Sequence, residues 1–311
     1  MTFQLIRGLS RWPDITDTVV TIGNFDGAHL GHQAMFEATI AAARQHQLPA
    51  TVISFDPLPH EYFSPEKSPP RLQGLRDRVR SIAKAGIDRL LLLSFDKELA
   101  AQHADEFIAE VLVDKLRARH MVIGDDFRFG HKRLGTIESL YSAAETFGYS
   151  VQQSPTRSHA GSRISSTRIR EHLTQGRLEE ASSLLGRPYR ISGRVIHGEK
   201  LGRQLGFPTA NVGLSTHRPP LRGVFAVTAL NEESGERFNA VANLGERPTL
   251  GGRKLLLEVH ALDTSVQWYG QHLAVDFVSR LREEQRFNTI DELKTQIARD
   301  ADAARELLVH R

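Results

Sequence analysis

The periodicity of apolar residues changes once along this chain, near Gly186-Arg187-Pro188, and that change demands two differently built halves. Before it, short aliphatic and β-branched runs at residues 19–22, 51–55, 89–94 and 120–124 alternate with helical patterns at about 32–46, 72–85 and 105–117. Parallel strands need a crossover between them, so this alternation predicts a parallel sheet with helices on both faces. A further helix is expected over 136–147, then two short ones ending at Gly176 and Gly186. After the change, alternating segments recur at 189–196, 224–230, 238–243, 255–262 and 273–278, split by Gly, Pro and Asn turns. That spacing predicts an antiparallel sheet or barrel. Thr289 and Glu292 then form a capping box for a last helix, with Ile290, Leu293, Ile297, Ala301, Ala304 and Leu308 as its apolar stripe. A length of 311 residues fits two domains, 1–186 and 187–311.

Composition removes several function classes. The chain has no cysteine, which excludes disulfides, thiolate metal sites and cysteine nucleophiles. No apolar stretch approaches the roughly 18 residues of a membrane span, and the N-terminus lacks the layout of a signal peptide, so a cytoplasmic protein is expected. Basic and acidic residues are interspersed around a net charge of +3. A nucleic-acid binder concentrates its positive charge in a patch, so no nucleic-acid or membrane partner is expected. Self-association is left open by the sequence.

The run Thr21-Ile-Gly-Asn-Phe-Asp-Gly-Ala-His-Leu-Gly-His-Gln33 carries the sharpest chemical content. It follows a buried strand and opens a helix, where free N–H groups and the positive helix end favour phosphate. Gly23, Gly27 and Gly31 allow close backbone approach, Asn24 and Phe25 lie in the loop, and His29 and His32 can donate hydrogen bonds to phosphate oxygens. The run resembles the H-x-G-H signature of nucleotidyltransferases, which act at the α-phosphate of a nucleotide.

Two further stretches fit such a crevice. Ser165, Ser166, Thr167 and Arg168 open a short helix, where hydroxyls and a guanidinium would grip β- and γ-phosphates. Asp126, Phe127 and Arg128 follow a buried strand within Val122-Ile-Gly-Asp-Asp-Phe-Arg-Phe-Gly130. The carboxylate suits a hydroxyl or ring N–H, and Phe127 or Phe129 suits a flat ring.

In the second half, Gly198-Glu-Lys-Leu-Gly-Arg-Gln-Leu-Gly-Phe-Pro-Thr-Ala-Asn211 is glycine-rich and basic. Gly198 and Gly202 would let phosphates approach, Lys200 or Arg203 would offset their charge, and Thr209 and Asn211 would offer neutral oxygens suited to Mg²⁺. Leu255-Leu-Leu-Glu-Val-His-Ala-Leu262 reads as a strand with Glu258 and His260 on one face, and Glu258 suits a general base.

These stretches, with Phe55-Asp-Pro57, Gly186-Arg-Pro-Tyr189, Gly223-Val-Phe-Ala226 and Asn243-Leu-Gly-Glu-Arg-Pro-Thr249, resemble bacterial bifunctional riboflavin kinase/FMN adenylyltransferases over the whole chain. The resemblance implies a Rossmann-like nucleotidyltransferase domain followed by a β-barrel riboflavin kinase domain with a C-terminal helix. It implies that riboflavin and ATP give FMN and ADP, and that FMN and ATP give FAD and pyrophosphate. Mg²⁺ would be required, with no permanently bound cofactor. Glu258 would be the kinase base, Thr209 and Asn211 the Mg²⁺ and phosphate ligands, and His29 and His32 the adenylyl-transfer residues. Two other readings exist: a different phosphorylated acceptor for the first half, or a non-catalytic flavin sensor or RNA-binding regulator. The last leaves the histidine pair and Glu258 without a role.

Overall fold

The computed structural model describes residues 2–13, 16–197, 206–214, 218–249, 252–264 and 268–309. They form two compact units, one of residues 1–69 and 78–165 and the other of 70–77 and 166–311.

The first unit is built on a six-stranded sheet of β1 (Gln4–Arg7), β2 (Thr18–Ile22), β3 (Ala50–Phe55), β4 (Arg89–Leu93), β5 (Ala118–Gly124) and β6 (Ser150–Ser154). Their order is β1-β4-β3-β2-β5-β6, and every pairing is parallel. All five residues of β2 are buried, as expected for a central strand covered on both faces. Val20, Ile22, Ile53, Met121 and Ile123 enter one core, together with Phe107, Leu112 and Leu140. Val19, Val52, Leu90 and Val122 enter the other, against Phe36 and Ala42 of α1 (Leu30–His46). The chain moves outward one way through β2, β3 and β4, then crosses to β5 and β6. The reversal lies between β2 and β5, the switch point at which sheets of this kind bind ligands beyond the carboxyl ends of their strands.

Around this sheet lie α2 (Pro59–Phe63), α3 (Leu75–Lys84) from Arg78 onward, α4 (Lys97–Ala101), α5 (Ala104–Glu106) and α6 (Ile137–Phe147). The helix expected over 105–117 begins as α5 and continues as a π-helical stretch, Phe107–Lys115, in which Leu116 N–H bonds Val111 O at 3.0 Å. The four expected strands are present. β1 and β6 were not anticipated, because both lie at the edges and are mostly polar or exposed. A two-stranded ribbon, β7 (Ser158–His159) with β8 (Ser162–Arg163), completes this unit.

The second unit opens with α7 (Ser166–Thr174) and α8 (Leu178–Leu185). It continues into β9 (Tyr189–Ile196), β10 (Ala210–Val212), β11 (Gly223–Asn231), β12 (Arg237–Thr249), β13 (Gly252–Ala261) and β14 (His272–Arg282). These strands close an antiparallel barrel in the order β10-β13-β12-β11-β14-β9, with β9 pairing back onto β10. Val212, Leu257, Leu244, Phe225, Phe277 and Ile191 fill its interior, each at most 1% exposed. Gly193 lets β9 and β10 close, since a Cβ there would lie 2.2 Å from Gly213 O. The C-terminal helix α9 (Ile290–Leu308) is capped by Thr289, which accepts from Glu292 N–H at 3.1 Å. Ala301, Ala304 and Leu308 pack on Val224, Ala226, Val241 and Leu262 of the outer barrel wall. The expected stripe is corrected at its start, where Ile290 is 62% exposed because the first turn extends past the wall.

Candidate active sites

The first site forms where β2 hands the chain to α1. His29 is the N-cap of α1, and its Nδ1 accepts the His32 backbone N–H at 3.3 Å. Acceptance at Nδ1 puts the proton of a neutral His29 ring on Nε2. The two imidazoles stack with centroids 3.6 Å apart and planes 18° apart. Gly31 permits this stack, because a Cβ there would meet the His29 ring at 3.2 Å. Phe25, buried with φ +50°, sets its ring edge-on to His32 at 5.2 Å. Burial pushes the His32 pKa well below its ordinary value of 6.5, and the neighbouring His29 and Arg163 push it the same way. His32 is therefore neutral near pH 7, and its Nδ1 is buried with no partner among the described residues. Gly23 and the exposed Asn24 complete the turn.

Arg78 holds this turn from beneath. Its side chain is 3% exposed; Nη1 donates to Asn24 O at 3.1 Å and Nη2 to Phe55 O at 2.7 Å. Nη2 also lies 3.7 Å from the Asp56 carboxylate. The guanidinium thus ties together the loops that follow β2 and β3. Sequence reasoning passed over Arg78, because a basic residue in an amphipathic helix reads as solvated. It also passed over Tyr62, Phe63 and Phe95, whose rings meet one another and Phe55 edge-to-face at 5.3–5.8 Å near the carboxyl ends of β3 and β4.

Across the switch point, Asp125 and Asp126 both pair with Arg163, at 2.8 and 2.9 Å. Asp125 also accepts the Thr156 hydroxyl. Phe127 stacks on the buried Phe129 with centroids 5.3 Å apart and planes 14° apart, while Arg128 is exposed. Ser165 ends the first unit; Ser166, Thr167 and Arg168 form the opening turn of α7 in the second.

The second site lies on the outer barrel wall. Register places Asn211 of β10 opposite Glu258 of β13, and Glu258 opposite Asn243 of β12. The row continues through Val224 of β11 to Arg282 of β14. Directly opposed residues share a face, and so do residues two apart along a strand, which brings in Thr209 and His260. Leu257 and Val259 point into the barrel instead, as expected from the alternation. A cavity of about 220 Å³ opens over this row, lined among others by Phe207, Thr209, Asn243, Glu258, Leu293 and Ile297. His260 Nδ1 lies 2.8 Å from Pro208 O, and its ring meets Phe207 edge-on at 5.5 Å. Asn243 Oδ1 is buried with no partner among the described residues. Arg282 is held by Asp300 of α9 through contacts of 2.8–3.0 Å. Gly198, Lys200, Gly202 and Arg203 lie outside the described residues.

Two family models match the chain in succession: FAD synthetase over residues 13–168 and riboflavin kinase over residues 185–308. Among curated relatives, the bifunctional riboflavin kinase/FMN adenylyltransferase of Haemophilus influenzae is 45% identical, covering 97% of this chain and 98% of the relative. The protein of the same name from Escherichia coli K12 is 45% identical, with 97% of each chain covered. That of Pseudomonas fluorescens is 44% identical, covering 98% and 97%. A crystal structure described as a macrolide-efflux protein from Streptococcus pneumoniae superposes with a TM-score of 0.82 at 31% identity, covering 98% of this chain and 99% of that one. Among the described residues no helix is long and apolar enough to cross a membrane. With two family models in tandem and relatives matched end to end, the chain belongs to the bifunctional riboflavin kinase/FMN adenylyltransferase family.

Proposed function

We propose that this protein phosphorylates riboflavin with ATP to give FMN, and then adenylylates FMN with a second ATP to give FAD and pyrophosphate. The observation that carries the reading is the occurrence, on one chain, of a stacked histidine pair at a helix start and a glutamate set in a row of carboxamides over a cavity. We assign adenylyl transfer to residues 1–186 and the kinase to 187–311.

In the adenylyl step an FMN phosphate oxygen attacks the α-phosphorus of ATP, and the bond to pyrophosphate breaks. No covalent intermediate is needed, so alignment and charge stabilisation do the work. His29 Nε2–H and the α1 N-terminus supply donors to the phosphate, and the neutral His32 supports the His29 ring from its stacked face. Gly23, Asn24, Phe25 and Gly31 shape the ATP side, with Ser165, Ser166, Thr167 and Arg168 as further phosphate ligands. Asp126, Phe127 and Arg128 serve FMN.

In the kinase step Glu258 takes the proton of the riboflavin 5′-hydroxyl while that oxygen attacks the γ-phosphorus and ADP leaves with the bonding electrons. Thr209 and Asn211 lie on the same wall as Glu258 and offer neutral oxygens, a donor set that fits Mg²⁺ shared with water and phosphate. Gly198, Lys200, Gly202 and Arg203 complete this ATP site. When bound with ATP, Mg²⁺ neutralises phosphate charge.

The test is product analysis by chromatography. The protein with riboflavin, ATP and Mg²⁺ is expected to yield FMN and FAD; persistent absence of FMN overturns the kinase reading. Glu258→Ala is expected to lower FMN formation by about a hundredfold or more while added FMN still becomes FAD. The pair His29→Ala with His32→Ala is expected to do the reverse.

A further inference from the structure

Resting on the kinase reading above, we infer that Asn243 contacts the acceptor alcohol: its carboxamide orients the polyol end of the flavin against Glu258. The wall has a sense of direction. On one side of Glu258 stands β10, with Asn211 and, just before the strand, Thr209; on the other stands β12, with Asn243. Phosphate and metal chemistry belongs to the β10 side, where the neutral oxygens are. The β12 side is different in kind. Next to Asn243 along the row is Val224, and Val241 stands two residues before Asn243 on its own strand. Leu293 and Ile297 line the same cavity. A flat apolar ring with a hydroxylated tail matches that wall: ring against the aliphatic side chains, tail against the Asn243 carboxamide beside Glu258.

The state of Asn243 itself points to a ligand. A buried acceptor without a partner costs about 1–3 kcal/mol, and among the described residues Asn243 Oδ1 has none. A carboxamide offers a donor and an acceptor side by side, and vicinal hydroxyls offer the complementary pair. Opposed residues on antiparallel strands have Cβ atoms roughly 4.5–5.5 Å apart, close enough for one polyol to reach both Asn243 and Glu258. In the step so arranged, the terminal hydroxyl gives its proton to the Glu258 carboxylate. Its oxygen forms the bond to the γ-phosphorus, and the bond from that phosphorus to ADP breaks. Asn243 holds the neighbouring hydroxyl and so fixes the rotation of the tail.

The experiment is steady-state kinetics of Asn243→Ala and Asn243→Ser in the full chain, with riboflavin, ATP and Mg²⁺ varied separately. Asn243→Ala is expected to raise the KM for riboflavin about tenfold, the equivalent of roughly one hydrogen bond, and to leave the ATP and Mg²⁺ dependences unchanged. Asn243→Ser, which keeps a hydroxyl, is expected to recover part of the loss. Conversion of added FMN to FAD is expected to stay intact in both variants, and a thermal melt of the barrel unit matching the wild type certifies its fold. A riboflavin analogue lacking the 4′-hydroxyl is expected to lose as much with the wild type as riboflavin loses with Asn243→Ala, and to lose nothing further with that variant. An unchanged riboflavin KM overturns the inference, as does a shift in the Mg²⁺ dependence, which would place a metal-bound water at Asn243. Failure of the wild type to form FMN would instead overturn the kinase reading.

Discussion

His32 is placed to be sensitive to acid, and desolvation is the first reason. Its pKa in the folded chain lies well below 6.5, first because it is buried and then because His29 and Arg163 disfavour a further positive charge. The unfolded chain takes up a proton near 6.5, whereas the folded chain resists until a lower pH. Stability is therefore unaffected by this group above pH 6.5 and is lost as the pH falls from there toward the folded pKa. The slope is at most about 1.4 kcal/mol per pH unit. Urea unfolding at about pH 7.5 and about pH 5.5 is expected to show a loss that His32→Asn reduces; an equal loss in both proteins would contradict the assignment. The histidines were legible from the sequence because a glycine-flanked pair after a buried strand has few structural explanations. Their stacking was not, since it depends on His29 turning back to cap its own helix. Arg78 was illegible for a related reason: its role lies in two carbonyl groups, Asn24 O and Phe55 O, and a sequence does not show which carbonyls will be short of donors.

At the scale of elements, α9 does two jobs along its length. Its last three turns are pinned to the barrel by Ala301, Ala304 and Leu308, and its earlier residues Leu293 and Ile297 roof the cavity. Between them, Asp300 meets Arg282 while Gln296 donates to the same carboxylate at 2.9 Å. Asp300 is 5% exposed, so Asp300→Ala strands a guanidinium in a buried place. The expected cost is about 3–5 kcal/mol, measured as a drop in unfolding free energy, and Arg282→Met in the same chain is expected to restore part of it. The amphipathic stripe of α9 and the strands of the barrel were readable from periodicity. β10 was not, because three residues at the end of a loop carry no pattern of their own; only pairing with β13 and β9 makes them a strand. Phe107–Lys115 was legible as a helix but not in its winding, since a π-type turn keeps the apolar content of a helix but shifts its spacing.

For the whole molecule, the second unit is more than its barrel. Leu178, Ala181, Leu184 and Leu185 of α8 are buried, and α8 rests on β9 and β14. A fragment of residues 166–311 is therefore expected to unfold more cooperatively and at a higher temperature than one of residues 187–311. Matched thermal melts check this, and equal midpoints would show that α7 and α8 add nothing to the barrel. The second unit also recruits Pro70–Asp77 from far upstream, where Asp77 accepts the Ser192 hydroxyl and Pro70 O accepts from Arg170 Nε at 2.6 Å. That interleaving bears on how such genes can recombine. A single crossover between two homologous genes would deliver a barrel from one parent with its strap from the other, so a clean module exchange needs two further crossovers, one on each side of the strap.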